Sequence, residues 1–84
     1  MNWGYITFRS VTVAQRGEAL LNRAGISCAL QRTPRWMEEQ GCGYCLRLHQ
    51  RDLHKGLEVL QQRQVPFRKV YLQAESGEIR EVVL

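Results

Sequence analysis

Residues 44–48 alternate strictly. Tyr44, Leu46 and Leu48 fall on one side, Cys45 and Arg47 on the other. A period of two marks a strand whose two faces meet different surroundings. The rest of the chain sorts by the same test. Residues 2–8, NWGYITF, are aromatic and β-branched and predict a first strand. Val13, Gly17, Leu20, Leu21 and Ala24 recur at helical spacing. Thr12 and Gln15 have the form of a capping box that would start this helix. Gly25 suits the left-handed residue beyond its end. ISCALQ (26–31) reads as a short strand, and Pro34 and Gly41 mark 32–41 as an irregular connection. Leu53, Leu57 and Leu60 give a second helix that Val65-Pro66 closes. FRKVYLQ (67–73) is a further strand, and a Ser76-Gly77 turn leads into an alternating acidic and apolar tail.

The order strand, helix, strand, strand, helix, strand predicts an α+β fold of the ferredoxin-like, split βαβ kind (βαββαβ). Its expected form is an antiparallel four-stranded sheet with two helices on one face. Residues 1–75 make the domain, and 76–84 are expected as a C-terminal tail or an extra edge strand.

Composition narrows the setting. Eighty-four residues are one domain with a modest core. The 44% hydrophobic and 24% charged fractions exclude a disordered chain. No apolar run reaches the ~20 residues of a membrane span, and the first ten residues lack a signal-peptide pattern. A cytoplasmic, reducing location is therefore expected, in which Cys28, Cys42 and Cys45 are thiols, metal ligands or transient redox groups. The net charge of +4 is unevenly spread: residues 31–69 carry eight Lys/Arg against four Asp/Glu, whereas 70–84 carry Arg80 against Glu75, Glu78 and Glu81. The middle of the chain attracts anions, although a solvated basic face explains it equally well.

The candidate chemistry lies in QGCGYCLRLH, residues 40–49. Cys42 and Cys45 have the spacing of a redox dithiol. On a strand, however, their side chains would face opposite sides with Cα atoms roughly 10 Å apart, against the less than about 7 Å that a disulfide requires. Cys42, Cys45, His49 and His54 could be offered to zinc, at a spacing tighter than the usual finger and at the expense of the strand. A single working thiol is the third option. Cys42 sits between Gly41 and Gly43, with Arg35 before it and Arg47 beyond, and nearby cations favour the nucleophilic thiolate. Against that stands a small buried cysteine beside a turn. The residues alone leave both open. Cys28 reads as core. Trp3, Tyr5, Phe8 and Tyr44 could stack RNA bases, but no RNA-binding signature run accompanies them, so nucleic acid is not favoured.

ALLNRAGI (19–26), TPR (33–35), CGYCLR (42–47) and DLHKGLEVL (52–60) follow one another in an order and spacing that resembles a family of short bacterial proteins of unknown function, described as selenium/sulfur carrier-like. The resemblance covers most of residues 5–72. It implies Cys42 as the acceptor thiol, with Thr33, Arg35, Gly43 and Arg47 as binding residues around it. Cys45 stands where that family pattern has a small residue, and so becomes a candidate resolving thiol. Glu39, or the pair Gln40-Gly41, stands where the pattern has Ser. The implied activity is carriage of activated sulfur or selenium on a single cysteine. Such a protein is a carrier or binding module more than a turnover enzyme. It needs no dissociable cofactor and no metal. Its expected partners are sulfur or selenium donor and acceptor proteins, and a second copy of itself, without a membrane. The competing class is an oligomerising module without chemistry, paired through the tail strand EIREVVL.

Overall fold

The structure, a computed structural model, describes residues 2–34 and 43–83. The alternating stretch forms β3 (Tyr44–His49), paired on both sides: with β1 (Trp3–Phe8) and with β2 (Cys28–Arg32). β4 (Val70–Gln73) pairs with the other side of β1, and β5 (Ile79–Val82) with β4. All four pairings are antiparallel, and the order across the sheet is β2-β3-β1-β4-β5. The sheet thus has five strands, because the tail closes a hairpin with β4. Gly77, at φ 92°, makes its turn, and Ala74 N–H donates to Glu78 O at 2.9 Å.

Helices α1 (Val11–Arg23) and α2 (Gln50–Gln62) pack on one side of the sheet. Their contact with it runs through Ile6, Phe8, Leu46, Leu48 and Val70, which meet Ala14, Leu21, Leu53, Leu57 and Leu60 in one apolar cluster. Two glycines allow the close approach. A methyl group at Gly17 would lie 3.3 Å from Leu60 Cδ2 and from Phe8 Cζ, and one at Gly56 would lie 3.2 Å from Leu48 Cδ1. No helix among the described residues is long and apolar enough to cross a membrane.

The start of α1 differs from the capping box expected at Thr12. Ser10 is the N-cap, and its hydroxyl accepts from Val13 N–H at 3.3 Å. Only Arg9 separates Ser10 from the buried strand end, Phe8, so the chain turns into the helix two residues earlier than the Thr12–Gln15 pattern suggests. α2 has no side-chain cap. Asn2 O accepts from Gln50 N–H at 3.1 Å, and Asp52 places a carboxylate in the first turn, where the helix dipole favours it.

Both helices end alike. Ile26 N–H donates to Leu21 O, and Val65 N–H to Leu60 O, each at 2.9 Å. Ile26 and Val65 then bury their side chains in the cluster. This is the terminal bond and apolar contact of a Schellman ending, whose preceding residue must be left-handed. At α1 that residue is Gly25, φ 82°; at α2 it is Gln64, φ 58°. A side chain in this region costs about 1–2 kcal/mol, partly returned by the lower entropy of a non-glycine unfolded chain. Gln64→Gly is therefore expected to raise stability by about 0.5–1 kcal/mol, and Gly25→Ala to lower it by about 1 kcal/mol or more. Urea denaturation of the two variants checks both signs.

Candidate functional site

The face of the sheet away from the helices carries the polar chemistry. Register sets Thr7, Cys45 and Gln31 in one row across β1, β3 and β2, and Tyr5, Arg47 and Ala29 in the next. Tyr5 and Cys45 form a second, small buried cluster, flanked by Trp3 and Tyr71. Tyr5 Oη donates to Gln73 Oε1 at 2.9 Å. Thr7 is tied to the Arg68–Lys69 stretch: its Oγ1 accepts from Lys69 N–H at 2.9 Å, and its carbonyl accepts from Arg68 N–H at 2.8 Å.

Of the residues the sequence pointed to, Thr33, Gly43, Cys45 and Arg47 come together along this part of the sheet. Thr33 N–H donates to Gly43 O at 3.0 Å, one rung beyond the last β2–β3 pair, Arg32 with Tyr44. That rung is the neck from which residues 34–42 depart. Gly43 is buried. Cys42 and Arg35 lie outside the described residues, as do Glu39, Gln40 and Gly41.

Cys45 is wholly enclosed, with no exposed surface. Burial pushes its thiol up to about 11, against the pull of the Thr33 and Gln31 side chains and of the Arg47 charge. The Thr33 hydroxyl oxygen is itself buried and has no hydrogen-bond partner among the described residues. Three groups thus favour the anion at Cys45, and desolvation still wins. Cys28, half-buried, is also raised to about 11, by burial and by the negative charge of Glu18. Its sulfur donates to Asn22 Oδ1 at 3.8 Å, on the helix side of the sheet. Cys28 packs against the core cluster without being sealed in it.

Arg47 lies over Trp3, its guanidinium carbon 4.3 Å from the indole centroid. Trp3 also stacks with its cross-strand partner His49, with centroids 4.9 Å apart and planes at 23°. This triple stack was invisible in the sequence, since it joins residues more than forty positions apart. Only the β1–β3 register could have found it. It occupies the π surface of Trp3, while Phe8 and Tyr44 pack into the helix-side cluster and Tyr5 is only 6% exposed. The four aromatic residues that might have stacked RNA bases therefore share no open platform.

The proposed zinc ligands Cys45, His49 and His54 do not converge; Cys42 lies outside the described residues. The side chain of His54 is 90% exposed beside Glu58 on α2, and His49 stacks on Trp3, while Cys45 is sealed within the sheet. Among the described residues no group of three or more His, Cys, Asp or Glu could hold a metal ion.

Residues 3–72 match the model of a protein family described as "Putative Se/S carrier protein-like". No curated protein and no solved structure matches the chain.

The raised Cys45 thiol has a consequence for stability. The folded state favours the protonated thiol, so this contribution is complete below the ordinary value of 9.0 and is lost as pH rises toward about 11. Unfolding of the wild type should weaken across that window by on the order of 1–3 kcal/mol more than that of Cys45→Ala. Parallel urea titrations of the two proteins at both ends of the window measure the difference. Equal pH slopes would place the thiol in contact with solvent.

Proposed function

The chain belongs to the selenium/sulfur carrier-like family, and from that premise we propose that it carries activated sulfur or selenium on Cys42. The observation that carries this reading is the state of the other thiols. Cys28 and Cys45 are both held protonated by burial, at about 11. A protonated thiol is a poor nucleophile, so Cys42 is the thiol left to react. Its neighbour Gly43 is fixed at the neck by the Thr33 rung. Thr33 and Gly43 position the acceptor, and Arg35 and Arg47 favour its anion. We read the antiparallel five-stranded sheet with its two helices as a ferredoxin-like scaffold extended by β5, a reading supported by the strand order β2-β3-β1-β4-β5.

The transfer conserves electrons. The Cys42 thiolate attacks the outer sulfur of a donor persulfide. The donor S–S bond breaks, its thiolate leaves, and Cys42 holds the outer sulfur as a new persulfide. An acceptor nucleophile then takes that sulfur and returns the Cys42 thiolate. Selenium follows the same course through a selenosulfide. Cys45 resolves a Cys42 adduct only in a conformation that opens the cluster around Tyr5; enclosed and protonated, it does not compete.

Incubation with a cysteine desulfurase and cysteine is expected to add one sulfur atom to the protein, located at Cys42 by peptide mass spectrometry. Cys42→Ser should abolish the gain, and Cys28→Ser and Cys45→Ala should leave it within about twofold. Unchanged loading of Cys42→Ser would overturn the assignment.

A second reading, a self-associating module, draws on β5. The two exposed large hydrophobic residues among those described, Ile79 (36%) and Val83 (89%), both lie at that edge. Edge strands with exposed apolar residues invite pairing with another strand. Removal of residues 79–84 should then convert a dimer to a monomer in light scattering. A monomer in both proteins rejects pairing through this edge.

A further inference from the structure

Arg47 also faces a second feature, at the end of β3 away from the neck. A cleft of about 150 Å³ opens there between β3 and the start of β2, lined by Trp3, Ser27, Cys28, Ala29, Arg47 and His49. Among the described residues no carboxylate lines it. The guanidinium sits over the Trp3 ring, and Trp3 stacks on His49. These contacts restrict the guanidinium before any ligand arrives. Its Nε is buried and has no hydrogen-bond partner. Leaving a buried donor unmatched costs on the order of 1–3 kcal/mol, and such groups in folded proteins are met by a water, an ion or a ligand. Ser27, exposed at the rim, adds a hydroxyl, while the Cys28 sulfur is turned away toward Asn22.

The occupant this arrangement selects is negatively charged, small, and rich in acceptor oxygens. A guanidinium fork matches two oxygens held on one atom, and its planar donors suit phosphate especially. The volume admits one ion of that size and not a nucleotide. We propose that the Arg47 cleft binds a small tetrahedral oxyanion: free phosphate, or the phosphoryl end of a larger molecule whose remainder stays outside. Arg47 supplies the charge and the paired donors, Ser27 a third donor, and the Trp3–His49 stack the rigidity. The site shares Arg47 with the proposed acceptor but does not use its thiol, and it is tested in a Cys42→Ser background, so that failure of either idea does not touch the other.

The experiment follows the Arg47 Nε–H and Trp3 indole N–H signals by NMR while sodium phosphate is exchanged for sodium chloride at constant ionic strength. Saturable shifts of both signals are expected. Arg47→Gln should weaken binding about tenfold or more, and Arg47→Lys, which keeps the charge but not the fork, by about threefold to tenfold. Ser27→Ala, at an exposed position that folding does not depend on, should weaken it by about twofold to threefold. A parallel titration with phosphoserine identifies the source: tighter binding than phosphate marks a phosphorylated molecule, and weaker binding marks the free ion. Shifts no larger in phosphate than in chloride overturn the proposal, as does saturable binding that survives both Arg47→Gln and Ser27→Ala.

Discussion

Everything in this molecule hangs on the register of β3. Its rows cross three strands: Ile6, Leu46 and Leu30 on the helix side, and Thr7, Cys45 and Gln31 on the other. Because side chains alternate, a slip of one residue would drive Arg47 into the apolar cluster and turn Leu46 and Leu48 out of it. An unpaired guanidinium in such a core is far too costly to tolerate. Pairing on both sides removes the freedom to slip. The same constraint that builds the core therefore delivers a cysteine and an arginine, two residues apart, to the opposite face.

What that face does to a thiol is instructive. Cys45 has a hydroxyl, an amide side chain and a guanidinium within reach, and each lowers its affinity for a proton. Enclosure raises that affinity by more. A cation beside a cysteine is therefore not enough to make a nucleophile; the anion must also keep some contact with water. Tyr5 tells the same story one row away, pushed up by burial despite the opposing pull of Arg47. On this face both the Cys45 thiol and the Tyr5 hydroxyl are held toward their protonated forms.

Much of this was legible in the sequence, and the failures have physical causes. The alternation of Tyr44, Leu46 and Leu48 against Cys45 and Arg47 needed no tertiary knowledge, because period and side are the same thing in a strand. Gly25 was legible because its left-handed conformation has a preferred residue. Gln64 adopts the same conformation and was missed, since the packing of Val65 imposes it over the local preference. Thr12 looked like the better cap, but the position of the strand end decided for Ser10. The tail was legible as a strand by its alternation, while its place in the sheet depends on pairing with β4. The enclosure of Cys45 was not legible at all. Nothing in CGYC says which face is covered, and the same motif would suit an exposed dithiol.

The arginine is the point at which these strands of argument meet. Arg47 holds one positive charge, and three features draw on it: the Trp3 ring beneath its guanidinium, the Tyr5–Cys45 cluster along the sheet, and the cleft that it lines. The buried cluster feels the charge only through space, and too weakly to ionise. The strongest use of a guanidinium is the direct, in-plane hydrogen bond, and at the Arg47 Nε such a bond is still unmade. Burial, which outweighs every opposing pull at Cys45, thus explains why a residue two positions from a cysteine does so little for that cysteine.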